Sequence, residues 1–528
     1  MTKTFGFSTN QKRILYVICL SALVLGIQLR AINRPFLGHY ASYQATVMAS
    51  ISRNMLRENF SELLLPKTDS IIGGKRSLHL NQYPFPSLVA ALGLKLFGGS
   101  FEFWGRFQAI VCNAVSIILL GLIAQKLFHE RTAWIAATVY ALSPFTLIYG
   151  QTFMSESMSL TFLLLSLILL LKLKPEKSSF PVILFSALSF SISVTGRIHL
   201  ILFYPLFAFL AVLPKSKNRI LNGAIFSFIA LAMPAAWYMH TYFAALNVPN
   251  IHTNIFLQAS AQNPETAKII LTADYWRKVL DIISQMLLTP LLFPFFLIAP
   301  FLTNKKGRGF WIAMSGAIFG LLVLFLIPEK IMKHDFYLYG TFPFIVLVVA
   351  FGIEMITEKF PILKTNRAIL FFILIYLGIS SRVFLHPIFS SPPDKQNVVR
   401  VGKIIQAKTQ PVNSLIVFGD DPATMLYYSD RAGWPLQPNL VGKPLLPYQK
   451  NPHLESQHLT ETAQLEAAMK DPVTWFKYLE TQGASYLVAS VKSELDSTPS
   501  LLVYLKKNHE MLSRQDDDFY LFKISHKH

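Results

Sequence analysis

Long apolar runs recur along the chain, and they limit the folds open to it more than any other feature. A run of roughly 15–22 residues crosses a bilayer if it is tilted or flanked by aromatic residues. Such runs lie near residues 13–31, 107–126, 133–149, 156–172, 180–195, 198–214, 220–239, 283–303, 309–327, 338–357 and 367–385. Only 15% of the residues are charged, well below the roughly 25% of soluble proteins. The sequence therefore predicts a polytopic α-helical membrane protein with about eleven transmembrane helices.

Lys and Arg gather in short loops between these runs, and this clustering predicts the orientation. If the first run leads outward, the inner loops are 126–131, 172–177, 215–219, 305–308 and 359–367. Lys and Arg accumulate on the cytoplasmic side of membrane proteins, so we expect a cytoplasmic N-terminus and an outer C-terminal tail. The formal net charge is +19, and these loops contribute to it. The sequence argues against nucleic-acid binding, because no soluble segment combines a row of basic residues with aromatic residues between them.

The composition changes near residue 390, where Asp, Asn, Gln and Ser become more frequent. Buried strands are indicated at 414–421, 485–490 and 519–524. Helices are indicated at 461–470 and 473–482. We expect a transmembrane domain at 1–389, including a long outer loop at 32–106, and a soluble α/β domain at 390–528 outside the cytoplasm.

The first outer loop, residues 32–106, is expected to contain two helices. Residues 45–59, "ATVMASISRNMLREN", have the apolar spacing of a helix that lies along the membrane interface. Residues 84–98, "PFPSLVAALGLKLFG", form a second apolar helix. If that second helix crossed the bilayer, every later segment would change sides, and the charge pattern argues against this.

Four groups of polar residues lie at the expected outer ends of the apolar runs, where intramembrane ionisable groups often serve function. The first group, within "RPFLGHYASYQATVMASISRN", is either an interfacial aromatic belt or a substrate pocket. Its members are His39, Tyr40, Tyr43, Gln44, Arg53 and Asn54. The second group is centred on Glu156 in "YGQTFMSES". Glu156 is either a structural cap favoured by the helix dipole or an acid of the active site.

The third and fourth groups add cations and a His–Asp neighbour pair. Arg197 and His199 interrupt an apolar run in "SVTGRIHL", which is either a turn that reaches the interface or a fork that suits a phosphate. The segment "IPEKIMKHDFYLYGTFP" is either a polar interface turn or a site in which His and Asp orient one another or bind a metal. Its candidate residues are Lys330, Lys333, His334, Asp335 and Tyr337. An acid, histidines and cations on one face suit a substrate with a lipid tail and a phosphate head.

Several stretches, in order along nearly the whole chain, resemble the GT-C fold glycosyltransferases that use lipid-linked sugars. They are "LNQYPFPSLVAALGLKLFGGSFEFWGR", which ends at Arg106, "ALSPFTLIYGQTFMSE", "KHDFYLYGTFP" and "MLYYSDRAGWP". The chain is most similar to the bacterial ArnT-like and protein-mannosyltransferase-like group (glycosyltransferase families 39 and 83). The resemblance implies a GT-C fold, an inverting transfer from polyprenyl phosphate, undecaprenyl phosphate in bacteria, and an active site in an outer cavity.

The resemblance also implies roles for individual residues. The family has an acidic residue in its first outer loop, and this chain has His39 near that place, so His39 is the expected base. Glu58, Glu62, Asp69 and Glu102 are rivals on the same loop. Arg197, Lys330, Lys333 and His334 would stabilise the phosphate leaving group, with Tyr43, Arg53, Arg106, Asp335 and Tyr337 as further substrate contacts.

Some roles stay open at this point. Glu156 would position the acceptor or, with Asp335, help to hold a divalent metal, and the resemblance does not settle whether a metal is needed. The expected partners are a polyprenyl-phosphate-linked sugar, a cell-envelope acceptor and the lipid bilayer. The expected location is the bacterial inner membrane, with the tail in the periplasm or outside the cell. The outer domain, with "YYSDRAGW", either selects the acceptor or packs as a core motif.

Two other classes of protein remain as alternatives. A transporter or flippase for a lipid-linked sugar would keep its binding residues near the membrane midplane, on broken helices from paired repeats. Here the ionisable residues lie at the ends of runs and no repeat is evident. A non-catalytic relative that only binds lipid-linked sugars is the second alternative, because the acid of the first outer loop is missing.

Overall fold

The computed structural model describes residues 9–37, 40–72, 74–173, 180–213, 218–246, 268–302, 307–359, 371, 374–375, 378, 393–419, 421–442, 463–514 and 516–525. Internal contacts divide the chain into two compact units. The helical unit contains residues 1–32, 106–237 and 263–386. The sheet unit contains residues 33–105, 238–262 and 387–528.

Most of the described chain is helical. The α-helices in chain order are α1 (Thr9–Leu29), α2 (Tyr40–Arg57), α3 (Phe85–Phe97), α4 (Phe101–Leu127), α5 (Glu130–Leu142), α6 (Pro144–Tyr149), α7 (Ser155–Leu171), α8 (Phe180–Gly196), α9 (Tyr204–Val212), α10 (Arg219–Leu246), α11 (Ala273–Asp281), α12 (Thr289–Ile298), α13 (Arg308–Leu321), α14 (Val323–Leu326), α15 (Pro328–Lys333), α16 (Phe342–Lys359), α17 (Pro393–Lys408), α18 (Pro422–Ser429), α19 (Pro472–Thr481), α20 (Lys492–Asp496) and α21 (Pro499–Asn508). Short 3-10 turns span Ile198–Phe203, Ala299–Phe301, Asp335–Leu338 and Pro438–Leu440, and a π-helical segment spans Ile282–Leu287.

Prolines and polar turns break several of the expected spans into shorter pieces. The run at 133–149 breaks at Ser143, whose hydroxyl accepts from the Phe145 amide and so starts α6 with Pro144 in its first turn. The run at 198–214 begins as a 3-10 turn and continues as α9, which has Pro205 in its first turn. Such breaks expose backbone groups that other parts of the protein must satisfy.

Three helices in the described ranges are long and apolar enough to cross a membrane: Phe101–Leu127, Arg219–Ala244 and Arg308–Leu326. The pair formed by Ala273–Leu287 and Thr289–Phe301 passes the same test but is bent by 109°. The expected count of about eleven spans is therefore not confirmed, because several apolar runs form shorter helices. The run expected at 367–385 lies almost entirely outside the described residues.

The sheet unit is organised around a seven-stranded mixed sheet. Its strands are β1 (Lys67–Ile72), β2 (Lys75–Leu78), β3 (Leu415–Phe418), β4 (Gly433–Leu436), β5 (Tyr486–Ala489), β6 (Glu510–Met511) and β7 (Tyr520–Lys523). The order is β2-β1-β4-β3-β5-β7-β6, with β1, β4, β3 and β5 parallel and antiparallel strands at both edges. The strands expected at 414–421, 485–490 and 519–524 are thus confirmed, as are helices at 463–468 and α19.

Alternation along β3 explains why this sheet is covered on both faces. Ile416 and Phe418 point into one apolar cluster, which includes Trp475 of α19 and Leu505 of α21. Leu415 and Val417 point into the other cluster, which includes residues of α17 and α18. Successive side chains of a strand face opposite sides, so a continuous apolar strand requires layers on both.

The first outer loop supplies two strands that the sequence reading did not identify. Strand β1 pairs with β2 and also, in parallel, with β4 through Ser70 and Gly433. The sequence pattern that indicates these strands is a Gly-Gly dipeptide at 73–74 between two short runs, which is typical of β-hairpins. A lone hairpin is marginal in water, so it needs a larger sheet. The loop that we assigned with residues 1–389 therefore shares its sheet with residues 390–528. The two helices expected in this loop are confirmed as α2 and α3.

Candidate functional site

Two buried charges of the helical unit form an ion pair. Glu156 lies in the first turn of α7, where the helix dipole favours a carboxylate. Arg197 follows the end of α8 with an extended backbone, and its guanidinium contacts the Glu156 carboxylate. The two side chains are 3% and 8% exposed. Two residues that the sequence offered as separate candidates are therefore partners, 41 positions apart in the chain.

A 3-10 turn at Asp335–Leu338 brings the third and fourth polar groups together. The Arg197 guanidinium carbon lies 5.4 Å from the centre of the Phe336 ring, a cation–π distance. The rings of His199 and Tyr337 meet edge to face with centroids 5.4 Å apart. His334 stacks on Phe336, also with centroids 5.4 Å apart. The site therefore combines a buried ion pair with a wall of aromatic and imidazole rings.

The imidazole of His334 is held neutral by its surroundings. Burial is the main cause, and the nearby cations Lys330, Lys333 and Arg197 act in the same direction, against a hydrogen bond to the Lys333 backbone. Together they lower the pKa of His334 to about 4. At neutral pH this ring contributes a hydrogen-bonding group rather than a charge.

Asp335 does not pair with its neighbour His334 in the way that the sequence left open. Its carboxylate accepts a hydrogen bond from the Tyr149 hydroxyl, at the end of α6. Within the described ranges, no group of three or more His, Cys, Asp or Glu side chains could hold a metal ion. The sequence reading missed Tyr149 and Phe336, although both lie in stretches that it singled out. Neither residue type carries a distinctive chemical signal in an apolar chain.

The two lysines of α15 differ in their environment. Lys333 is exposed and its ammonium lies 2.8 Å from the Glu329 carboxylate, one helical turn away. Lys330 is half-buried, and burial together with Lys333 lowers its pKa. Among the residues that the structure describes, no carboxylate lies within ion-pair distance of Lys330. Lys330 is therefore the better placed of the two to meet an anion.

Arg53 lies in the sheet unit, where it connects the first outer loop to the C-terminal chain. Its guanidinium pairs with Asp69 of β1 and lies 2.8 Å from the Asp430 carboxylate. It also donates to the Tyr427 carbonyl oxygen at 2.8 Å. Burial opposes its charge, but Asp69 and Asp430 outweigh burial and raise the pKa of Arg53. The structure thus gives Arg53 a connecting role, and its expected substrate contact stays a prediction.

The other expected residues of the first loop are placed as follows. Tyr43 is half-buried on α2. Arg106, near the start of α4, donates to the Ile32 carbonyl oxygen at 3.3 Å within the helical unit. His39, the expected base, lies outside the described residues. The segment "YYSDRAGW" packs: Arg431 is buried and donates to the Thr409 hydroxyl at 3.0 Å and carbonyl oxygen at 2.7 Å.

The four rival carboxylates of the first outer loop all have partners within the sheet unit. Glu58 and Glu62 lie 2.7 and 2.6 Å from the Lys67 ammonium. Asp69 is held by Arg53 and by the Asn54 amide at 3.1 Å. Glu102 accepts from the Tyr427 hydroxyl at 3.2 Å. All four acids therefore have local structural roles.

Comparison with solved structures identifies the architecture. ArnT from Cupriavidus metallidurans bound to undecaprenyl phosphate aligns with a TM-score of 0.61 at 13% identity, over 96% of this chain and 97% of that one. The chain has the GT-C fold. An Archaeoglobus fulgidus oligosaccharyltransferase, AglB, in complex with an inhibitory peptide and a dolichol-phosphate, aligns with a TM-score of 0.51 at 13% identity, over 97% and 74%. The mycobacterial arabinofuranosyltransferase AftD aligns with a TM-score of 0.58 at 14% identity, over 97% and 40%.

Sequence comparison adds a partial match in the same direction. The family of dolichyl-phosphate-mannose-protein mannosyltransferases matches residues 81–239, which include Glu156 and Arg197. No curated protein matches the sequence. The GT-C fold that the resemblance implied is confirmed, and the ion pair lies in the part of the chain that the family model covers.

Proposed function

We propose that this protein is a membrane glycosyltransferase that moves a sugar from a polyprenyl-phosphate donor to an acceptor outside the cytoplasm. Three GT-C relatives support this, two of them solved with undecaprenyl or dolichol phosphate. The observation that carries the proposal is the buried Glu156–Arg197 pair, whose guanidinium, with Lys330, lies close enough to His334 to act on it electrostatically. A guanidinium has five donors in a planar fork, a geometry that suits a phosphate, and Arg197 holds this group beside Glu156.

The reaction proceeds with inversion in this proposal. A base takes the proton of the acceptor hydroxyl as its oxygen attacks the anomeric carbon, and the bond from that carbon to the phosphate oxygen breaks. The phosphate keeps the electron pair, and Arg197 and Lys330 stabilise the growing negative charge. Neutral His334 donates a hydrogen bond. Glu156 keeps the guanidinium of Arg197 in place, a positioning role.

His39 is proposed as the base. An imidazole has a reference pKa near 6.5, so it accepts a proton at neutral pH. The four carboxylates of the first outer loop that could replace it already have cation or hydroxyl partners. The acceptor is proposed as a cell-envelope lipid, polysaccharide or protein, and the location as the bacterial inner membrane with a cytoplasmic N-terminus.

Native mass spectrometry of the detergent-purified protein tests the proposal. We expect a bound polyprenyl phosphate or its glycosylated form, and the added mass would identify the sugar class. Adding a cell-envelope extract should remove the sugar mass from the bound lipid. His39→Ala should retain the glycosylated lipid but lose this turnover. Movement of the lipid across liposome membranes without loss of its sugar would contradict the proposal and favour a flippase.

Paired variants separate phosphate binding from folding. Arg197→Met with Glu156→Gln removes both buried charges together, because removing only one would leave a costly lone charge. We expect the double variant to fold and to lose binding of added undecaprenyl phosphate. Lys333→Ala is the matched control, since Lys333 is exposed and already paired. Retained lipid binding in a folded double variant would remove Arg197 from the proposed site.

A further inference from the structure

A cavity of about 510 Å³ lies in the helical unit, away from the ion pair described above. A volume of this size falls in the range of small-ligand sites. It lies between the end of α4, the start of α13 and the last turns of α16. The first two helices are candidate membrane spans, so the cavity lies at one end of both. The positive-inside pattern assigns this end to the cytoplasmic face.

The cavity combines an apolar wall with charged groups. Phe128, Phe310 and Phe351 line it, and the Phe351 ring contacts those of Phe310 and Phe128 with centroids 4.9 and 5.5 Å apart. Gly309 packs directly on the backbone of Leu127, where a Cβ would lie 1.9 Å from the carbonyl oxygen. The wall is therefore built by close packing of α13 against the end of α4.

The charges in the cavity have both signs. Lys126, His129 and Arg308 are exposed members of the lining. Glu354 also lines the cavity and is only 3% exposed. In the described part of the chain, no cation lies within ion-pair distance of the Glu354 carboxylate, although His129 and Arg131 are close enough to interact with it. A buried carboxylate without a close partner is costly, and a cationic ligand group would offset that cost.

We propose that this cavity binds the headgroup of a zwitterionic phospholipid with a primary amine, phosphatidylethanolamine. Its phosphate contacts Lys126 and Arg308 at the mouth, and its ammonium pairs with Glu354. The acyl chains lie along the apolar helices. A purely anionic headgroup would bring its charge towards Glu354 and gain nothing from the carboxylate. The arrangement matches basic pockets that bind lipid headgroups between helices on the cytoplasmic side of membrane proteins.

Lipid titrations of the purified full chain, followed by native mass spectrometry, test this. The probes are phosphatidylethanolamine, phosphatidylglycerol and phosphatidylcholine with the same acyl chains, and undecaprenyl phosphate. We expect phosphatidylethanolamine to bind at least about fivefold more tightly than phosphatidylglycerol, the effect of roughly one favourable ion pair. Phosphatidylcholine, which cannot donate a hydrogen bond, should bind more weakly than phosphatidylethanolamine. This comparison needs no variant.

Substitutions then assign the contacts. Glu354→Gln, which keeps the shape, should remove the preference for phosphatidylethanolamine and leave phosphatidylglycerol binding unchanged or stronger. Lys126→Ala and Arg308→Ala should each weaken both lipids about fivefold. Lys403→Ala, an exposed cation of α17, is the control and should change neither. Each variant is first checked for an unchanged melting temperature.

Two outcomes would overturn the proposal. The first is equal binding of phosphatidylethanolamine and phosphatidylglycerol by the unmodified protein. The second is tighter competition by undecaprenyl phosphate that depends on Lys126 and Arg308, which would assign the cavity to a polyprenyl carrier instead. Neither result bears on the transferase activity, because none of the four polar cavity residues belongs to the proposed active site.

Discussion

Removal of the Asp69 carboxylate should release the hairpin β1–β2 from the sheet unit. Asp69 is 2% exposed and holds Arg53 by an ion pair, Asn54 by a hydrogen bond of 3.1 Å and Arg76 at 3.7 Å. Breaking a buried pair by removing one partner costs about 3–5 kcal/mol. Arg53 would keep Asp430 at 2.8 Å, so we expect the lower end for Asp69→Ala, about 3 kcal/mol.

Hydrogen–deuterium exchange followed by mass spectrometry measures this cost locally. A loss of about 3 kcal/mol in local opening corresponds to roughly 150-fold faster exchange. We expect this acceleration in peptides covering β1 and β2, and a smaller one at Gly433, which pairs with Ser70. Strands β6 and β7 form the opposite edge of the same sheet and should not change.

A second variant tests the electrostatic reasoning. Arg53→Met combined with Asp69→Leu removes the pair without leaving a lone buried charge, so it should exchange more slowly than Asp69→Ala. Asp496→Ala, which removes the acceptor of the Tyr520 hydroxyl at 2.8 Å, is the matched change near the opposite edge. If exchange in β1 and β2 of Asp69→Ala were unchanged, or if exchange were faster across the whole sheet, Asp69 would not be what holds this hairpin locally.

Three further predictions concern single residues. Lys330→Ala should weaken the binding of undecaprenyl phosphate about fivefold, because it removes one contact to the phosphate. Lys333→Ala should change this binding less than about twofold, and mass-spectrometric titration measures both effects. The pKa of His334 in the folded protein is about 4, below its ordinary value of 6.5, so the stability of the wild type falls as the pH drops from about 6.5 to 4. His334→Gln should remove this part of the loss, as thermal melts across that pH range would show. Gly402→Val should destabilise the packing of α17 on α18, because a Cβ would lie 2.7 Å from the Tyr428 backbone, measured by the melting temperature.

The local elements of the sheet unit were open to prediction because their signals are local. Short apolar runs indicated the buried strands β3, β5 and β7, helical spacing indicated α2, and an apolar run indicated α3. The hairpin β1–β2 was missed since its strands are short and charged at Lys67, Lys75 and Arg76. Its partner strand β4 lies more than 350 residues later in the chain, so no local pattern could pair the two.

The candidate site was predictable as a set of residues and not as an arrangement. Charged residues in apolar runs are costly, so Glu156, Arg197 and the residues of 330–337 stood out by chemistry alone. The contacts between these residues could not be predicted from the sequence, because each charge had several possible partners. The structure selects Glu156 for Arg197 and Tyr149 for Asp335, and leaves His334 stacked on Phe336.

The sequence by itself determined the class of this protein: long apolar runs predict helices in a membrane, and short apolar runs in the more polar region after residue 390 predict a sheet. Those features depend on solvent preference and on the period of one element. Only the tertiary structure decided that the first outer loop completes the sheet, that Arg53 joins Asp69 to Asp430, and that Glu156 neutralises Arg197. Ion pairs act over a few ångströms, so their partners are defined only when the fold brings distant segments together.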